Sequence, residues 1–271
     1  MPSVSIITTC YKDLDGLITT GQSVLKQTHP VTWLVTDADS GEDHRKYLSS
    51  VDPGKHNFKW SSVKDRGLYD GMNRGFQESS EEIILFLNAG DTLASENVIQ
   101  TVVNSYEIEK WKWCVGLAVR FSEAGTPRAV WEYLNPELGG LAIGTRTFCH
   151  QATFYERNFL NSQMPYKIEN LAADHLVNVA LFKLAEPKML PFVTTYFQDG
   201  GVSSKRPFRA AMKDLRDVRK ENDLLIGNSK VVDLFFSNII IFLVNSGGFF
   251  WNLLRKIGHK AIRDPKRITP E

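Results

Sequence analysis

Ile83-Ile84-Leu85-Phe86-Leu87-Asn88-Ala89-Gly90-Asp91 decides how the rest of this chain is read. A run of five apolar residues stops abruptly in a small turn that carries one carboxylate. A buried strand ending this way presents a hard, negative oxygen at its carboxyl end, where a divalent cation (Mn2+ or Mg2+) holding a diphosphate would sit. An ordinary strand end also uses Asn, Gly and Asp to turn, so the stretch takes its meaning from its surroundings.

Working outward, strand and helix signals alternate. Strands are predicted over residues 4–8, 32–36, 58–63 and 82–87. Amphipathic helices are predicted over 14–26, 44–50, 68–79 and 96–109, the third in spite of Gly71 and Gly75. Short links between them imply an α/β fold with an open, mostly parallel sheet flanked by helices. Beyond residue 110 the pattern changes. Residues 113–121 and 128–131 read as paired strands around the turn Glu123-Ala124-Gly125-Thr126-Pro127. Residues 145–155 read as extended, 172–184 as a helix, 192–197 as a strand and 207–225 as a charged helix. The expected division is a body over residues 1–204 and a helical appendage over 205–271.

The formal charge of +1 argues against bulk nucleic-acid binding, but it is unevenly spread. Residues 205–271 hold 14 Lys/Arg against 7 Asp/Glu, a net of +7, which leaves −6 on residues 1–204. Cys10, Cys114 and Cys149 are odd in number and widely spaced, which fits neither a disulfide framework nor a CxxC metal site. A reducing cytosol is the simplest setting. Met1-Pro2 leads straight into the first apolar run, without the features of a signal peptide.

In open α/β sheets ligands bind outside the carboxyl ends of the strands. Functional-looking groups collect there: Thr8-Thr9-Cys10-Tyr11, Asp37-Ala38-Asp39, and Asn88-Ala89-Gly90-Asp91. The cluster from Asp65 to Gly75 follows the third strand. Tyr11 can pack on a nucleobase, Thr8 or Thr9 can bind its polar edge, and Asp37 can accept from a base imide or a ribose hydroxyl. Asp91 can ligate the metal. No Gly-x-Gly-x-x-Gly and no Gly-x-x-x-x-Gly-Lys loop follows the first strand, so neither a dinucleotide site nor a P-loop is expected. Asp174 stands at the start of the helix 172–184; the residues alone leave open whether it complements the helix dipole or acts as a general base.

These words, in this order, resemble the family 2 glycosyltransferases, inverting enzymes of the GT-A fold, in their bacterial polysaccharide branch. Val4-Ser5-Ile6-Ile7-Thr8-Thr9-Cys10-Tyr11 looks like the family's opening, and Asp37-Ala38-Asp39-Ser40 like its Asp-Gly-Gly-Ser turn. Asp65 through Gly75 is similar to an Asp-x-Gly-x-Tyr-Asp-Ala-Met-Asn-x-Gly block, and Asn88-Ala89-Gly90-Asp91 to a short form of the DXD motif. His150-Gln151-Ala152-Thr153-Phe154 and Gly200-Gly201-Val202-Ser203 are similar to later landmarks. The match spans roughly residues 3–204. It implies a nucleotide-sugar donor, most simply a UDP-sugar, bound by Thr8, Thr9, Tyr11, Asp37, Asp65, Asn73, Asn88 and Gly90. It further implies a metal on Asp91 and Asp174 as catalytic base, with His150, Gln151 and His175 as further candidates. Two departures stand out: Ala38 occupies a position that is Gly or Asp in the family's turn while Asp39 replaces a Gly, and Gly90 stands where a second carboxylate often sits. The acceptor implied is a hydroxyl of a glycan or of a lipid-linked intermediate in surface polysaccharide assembly. A nucleotidyltransferase remains as a rival. So does a non-catalytic nucleotide-sugar-binding scaffold, which the single carboxylate keeps open.

Residues 234–254 carry no charge and would reach about 31 Å as a helix. Asn238, Asn245 and Asn252 recur every seven residues as a polar stripe, Gly247-Gly248 interrupts, Asp233 lies at one end, and Arg255, Lys256, Lys260 and Arg263 follow the other. An apolar face with a basic flank describes a helix lying in a membrane interface. The expectation is a cytoplasmic protein, peripheral on the inner face of the cell membrane. An anionic lipid surface is the expected partner, and a homo-oligomer through the C-terminal helices is the competing use of this segment.

Overall fold

A computed structural model describes residues 1–122, 126–131, 136–198 and 207–245. The expected loop at Gly200–Ser203, the turn at 123–125 and the apolar and basic stretch from 246 onward lie outside the described residues.

The central strands are β1 (Val4–Cys10), β2 (Thr32–Asp37) and β4 (Ile83–Phe86), and every residue in them is buried. Such runs are covered on both faces, and alternation along each strand divides the side chains between two cores. Ile6, Trp33, Val35, Ile83 and Leu85 enter one. Ile7, Leu34, Ile84 and Phe86 enter the other. The first core is closed by Leu17 and Val24 of α1 (Leu14–Leu25), Leu48 of α2 (Glu42–Ser50) and Val102 and Val103 of α4 (Val98–Glu109). The second is closed by Met72 and Phe76 of α3 (Leu68–Glu78) and Val177 and Leu181 of α7 (Ala173–Leu184). The result is three layers, helix, sheet and helix. The glycines of α3 are explained by its close approach: a Cβ on Gly75 would lie 2.4 Å from Ile7 Cγ2.

The sheet runs β3-β2-β1-β4-β8-β6-β9-β5, with β7 added to β6. β3 (Asn57–Ser62), β2, β1 and β4 are mutually parallel. The second half is mixed. β8 (Thr153–Glu156) is antiparallel to both β4 and β6 (Trp113–Phe121), and β9 (Lys188–Gln198) runs parallel to β6. β5 (Thr92–Leu93) pairs antiparallel with β9, and β7 (Pro127–Trp131) with β6. The strand–helix alternation predicts this α/β sheet flanked by helices, and its parallel half is the part read from the sequence.

Several boundaries differ from expectation. β9 begins at Lys188, because its first residues pair with β6 at Cys114 and Val115. Residues 145–155 are not one extended piece: a 3-10 turn at His150–Ala152, which carries His150 and Gln151, precedes β8. The short helices α5 (Leu138–Ile143) and α6 (Arg157–Asn161) give little sequence periodicity. α8 ends at Glu221 rather than at 225 (Phe208–Glu221), and its Val218 joins the second core. The last described helix, α9 (Lys230–Asn245), begins before the uncharged stretch and takes in Asp233.

Candidate functional site

The parallel register brings the ends of β2, β1 and β4 side by side. Asp37, Thr9 and Asn88 thus stand along one rim, and the segment 65–71 closes it from β3's side. Gly71 is the contact point: a Cβ there would meet Thr9 Cγ2 at 3.0 Å, Asp65 Oδ2 at 3.2 Å and Thr36 Oγ1 at 3.3 Å. Asp65 therefore shares this rim, with its Oδ1 accepting from Gly67 N–H at 2.9 Å and Arg74 3.6 Å from Oδ2.

Asp37 is wholly buried. Its Oδ2 accepts from Ser40 N–H at 3.0 Å and from Ser62 Oγ at 2.6 Å, while its Oδ1 has no partner among the described residues. A buried carboxylate oxygen left unsatisfied is costly, and it marks a place where a ligand N–H or O–H fits. Tyr11, 64% exposed, stands beside it at the end of β1 with Lys12 Nζ 5.2 Å from its ring centroid.

At the end of β4 the turn is tightly braced. Gly90 has φ +92, in the left-handed region that favours glycine. Thr20 of α1 accepts from Gly90 N–H at 3.1 Å and donates to the Asp91 carbonyl at 2.7 Å. Asp91, 7% exposed, accepts through Oδ2 from Gln151 Nε2 at 3.1 Å. Next to it runs a continuous chain of hydrogen bonds. Thr9 Oγ1 donates to Asn88 Oδ1 at 2.7 Å, and Asn88 Nδ2 lies 3.0 Å from His150 Nε2. His150 Nδ1 is 3.1 Å from Asp174 Oδ2, and Tyr69 Oη donates to Asp174 Oδ1 at 2.7 Å. With its oxygen engaged by Thr9, the Asn88 amide turns its N–H toward His150. Nε2 then accepts, and Nδ1–H donates to Asp174.

This chain sets the charge of Asp174. Burial presses its carboxyl upward, but the hydrogen bond and charge of His150, with the Tyr69 hydroxyl, outweigh burial and hold it at about 2. For His150, burial pulls downward, and the hydrogen bond and charge of Asp174, joined by Asp91, turn the net shift upward. The Asp174 side chain keeps 18% exposure, enough for one edge to meet a substrate.

Not every predicted residue joins the rim. Thr8 is buried, its hydroxyl donating to Leu87 O at 2.8 Å and accepting from Trp33 Nε1 at 3.0 Å. Asn73 is engaged at both ends by the backbone of Tyr166, at 2.8 and 2.7 Å. Both serve the fold, because their polar atoms already have partners within it. His175 turns away from the cluster, its Nε2 2.8 Å from Leu141 O, and burial lowers its pKa. Conversely, Tyr69, Thr20 and Asp13 were given no role by the sequence. Tyr69 lies inside the quoted block 65–75, which was its only signal. Asp13 caps α1 through Oδ1 to Gly16 N–H at 2.9 Å, and its Oδ2 would lie 3.7 Å from a Cβ on Gly90.

Which residues would suit a cation follows from their chemistry. Asp91 supplies one hard oxygen, enough for Mg2+ or Mn2+ only when diphosphate oxygens and water complete the shell. Cys10, Asp37 and His44 form a second group, with ligand atoms within 4.8 Å of one another. Its thiol and imidazole suit a softer ion than one that bridges a diphosphate. Asp91 is not part of that group.

No family model matches the chain. An uncharacterized glycosyltransferase of Mycobacterium tuberculosis is 29% identical over 223 residues, covering 79% of this chain and 82% of that protein. A PGL/p-HBAD biosynthesis glycosyltransferase of Mycobacterium bovis is 29% identical over 150 residues, 52% of this chain and 54% of its own. Among solved structures, S. aureus TarS 1-349 in complex with UDP-GlcNAc superposes with a TM-score of 0.64 at 14% identity, over 80% of this chain. The chain spans 66% of that TarS chain, just under two thirds of it. The mannosyltransferase PcManGT from Pyrobaculum calidifontis, in complex with GDP-Man and Mn2+, superposes with a TM-score of 0.53 at 13% identity, over 91% of this chain and 76% of its own. At these identities the structural likeness speaks for the fold, and the sequence relatives speak for the activity: the chain is an enzyme, a glycosyltransferase.

Proposed function

We propose that the chain is an inverting glycosyltransferase that moves a sugar from a nucleotide-sugar donor, a UDP-sugar in the simplest case, to a hydroxyl of a glycan or lipid-linked acceptor. The single observation that carries this reading is the chain Thr9–Asn88–His150–Asp174–Tyr69, which ties a charged carboxylate to the turn bearing Asp91. The UDP, UDP-GlcNAc and GDP-Man bound by the structural neighbours are in keeping with it.

In this mechanism the base of the donor lies at Tyr11 and offers an N–H to the open Oδ1 of Asp37. The diphosphate reaches along the rim toward Asn88 and Gly90. Asp91 would hold a divalent cation, which when bound neutralises the charge on the departing diphosphate. Asp174 faces the acceptor hydroxyl from the opposite side of the sugar. A carboxylate at about 2 is fully ionised at neutral pH but weakly basic. Forming the bond to the anomeric carbon acidifies the attacking hydroxyl, so its proton passes to Asp174 as that bond is made. His150 and Tyr69 fix the carboxylate beforehand, so little reorganisation accompanies the step.

The test follows UDP release from a panel of UDP-sugars, with and without EDTA, for the parent, Asp91→Ala and Asp174→Ala, with the anomeric configuration of the product read by NMR. The expected result is EDTA-sensitive release, lost in both variants, with inversion. Unchanged turnover by Asp174→Ala would overturn the assignment of the base, and a product of retained configuration the inverting course.

A further inference from the structure

α9 is fastened to the body by a buried ion pair. Arg219 of α8 donates from Nε to Asp233 Oδ1 at 2.6 Å and from Nη2 to Asp233 Oδ2 at 3.1 Å. The same Nη2 reaches Ser237 Oγ at 2.9 Å, and Nη1 reaches Ala142 O at 3.3 Å. Arg219 and Asp233 are 1% and 0% exposed, and the Arg219 guanidinium, outweighing burial, holds the Asp233 carboxyl low. Asp233, which the sequence places at one end of the uncharged stretch, is thus the inner anchor of the helix.

Asp233, Ser237 and Ile241 follow at four-residue intervals and form the buried side of α9. At about 100° per residue, the side turned away from them carries Val231, Val232, Phe235, Phe236 and Ile239, flanked by Leu234, all exposed, with Val231 at 76% and Phe235 at 66%. Asn238 is the one polar residue between them. Asn238, a member of the expected asparagine stripe, is exposed, and the side of α9 that meets the protein is that of Asp233. Because the ion pair fixes the rotation of the helix, the apolar side is held outward.

We propose that this face of α9 docks on an anionic lipid bilayer, lying in the plane of the interface. Charge complementarity selects this occupant. The chain beyond Asn245 carries Arg255, Lys256, Lys260, Arg263, Lys266 and Lys-adjacent Arg267 against Asp264 and Glu271. A second copy of the chain would bring two such basic segments together, whereas anionic headgroups attract them. Among the described residues no helix is long and apolar enough to cross a membrane. An exposed apolar arc next to a basic flank is the pattern of helices that lie on membranes.

The experiment sediments the full chain with vesicles of pure phosphatidylcholine and with vesicles of equal parts phosphatidylcholine and phosphatidylglycerol. The chain is expected to pellet with the anionic vesicles, and to be partly released by high salt. The double variant Val231→Glu, Phe235→Glu should bind at least about tenfold more weakly, since it withdraws two apolar side chains from the interface. Its circular dichroism and melting temperature should match the parent, because both side chains are exposed. Absence of the parent from the anionic pellet overturns the proposal, as does undiminished binding by the folded double variant. So does a concentration-dependent dimer, seen by light scattering without lipid, that the double variant dissolves; that result would assign the face to a second copy.

Discussion

At the carboxyl end of β2, Asp37 keeps one carboxylate oxygen without a partner among the described residues, whereas at the start of α7 both oxygens of Asp174 are engaged, by Tyr69 and His150. The two halves of the rim are built on different physical terms. Around Asp37 the fold leaves an acceptor open inside a dry setting, which becomes satisfied only when something binds. Around Asp174 the fold completes the network in advance and holds a charge ready, with a small exposed edge. Binding rewards an unmet hydrogen bond, because the ligand removes a standing cost. Catalysis rewards a group that need not reorganise when charge moves.

The largest effect should come from the completed half. Asp174→Asn is expected to lower transfer by about 10²- to 10⁴-fold, while UDP binding measured by calorimetry stays at the parental level. Parental turnover in this variant would break the division between the halves. Next, Asp37→Ala should raise KM by about tenfold to a hundredfold with kcat little changed, the pattern of a lost binding contact. Steady-state kinetics with saturating acceptor reads this directly, and a matching fall in kcat would place Asp37 in the chemistry instead. Gln151→Ala removes the hydrogen bond that orients Asp91. It should weaken Mn2+ binding in the presence of UDP by about tenfold to a hundredfold, as titrated calorimetrically; EDTA should abolish the metal-dependent part in parent and variant alike.

The smallest effect concerns pH. His150 lowers the Asp174 carboxyl, so His150→Gln should let that carboxyl rise and move the acidic limb of the pH–rate profile upward. The sign for stability runs with it. Asp174 is held at about 2, below its ordinary value near about 4, so its contribution is fully present above about 4 and disappears as the pH falls through about 2. The difference in melting temperature between parent and Asp174→Asn should therefore shrink across that window. A constant difference would mean that Asp174 is not held down in the folded state.

Much of the framework was legible in the chain. The runs at 4–8, 32–36 and 82–87 read as strands of a central sheet because side chains on both faces of such a strand are mostly apolar or small. The motif words placed Asp91, Asp37 and Asp174 at element ends, since those words are themselves turns and helix starts. The mixed half of the sheet was less legible. β8 and the start of β9 are defined by partners remote in sequence, and α5 and α6 are too short for a helical period to emerge. Thr8 and Asn73, expected at the donor, are engaged within the fold for a related reason. Their side-chain chemistry is identical whether a ligand or a neighbouring backbone uses it, and only the positions of Leu87, Trp33 and Tyr166 decide.

The order of strands and helices, the acidic residues at strand ends and the basic C-terminal quarter follow from the one-dimensional pattern, because periodicity and turn chemistry act over a few residues. The hydrogen-bonded line from Thr9 to Tyr69, the open oxygen of Asp37 and the outward rotation of α9 were decided by tertiary structure alone. Each depends on atoms brought from well-separated elements to within hydrogen-bond distance, and a contact of that kind leaves no periodic mark on the sequence.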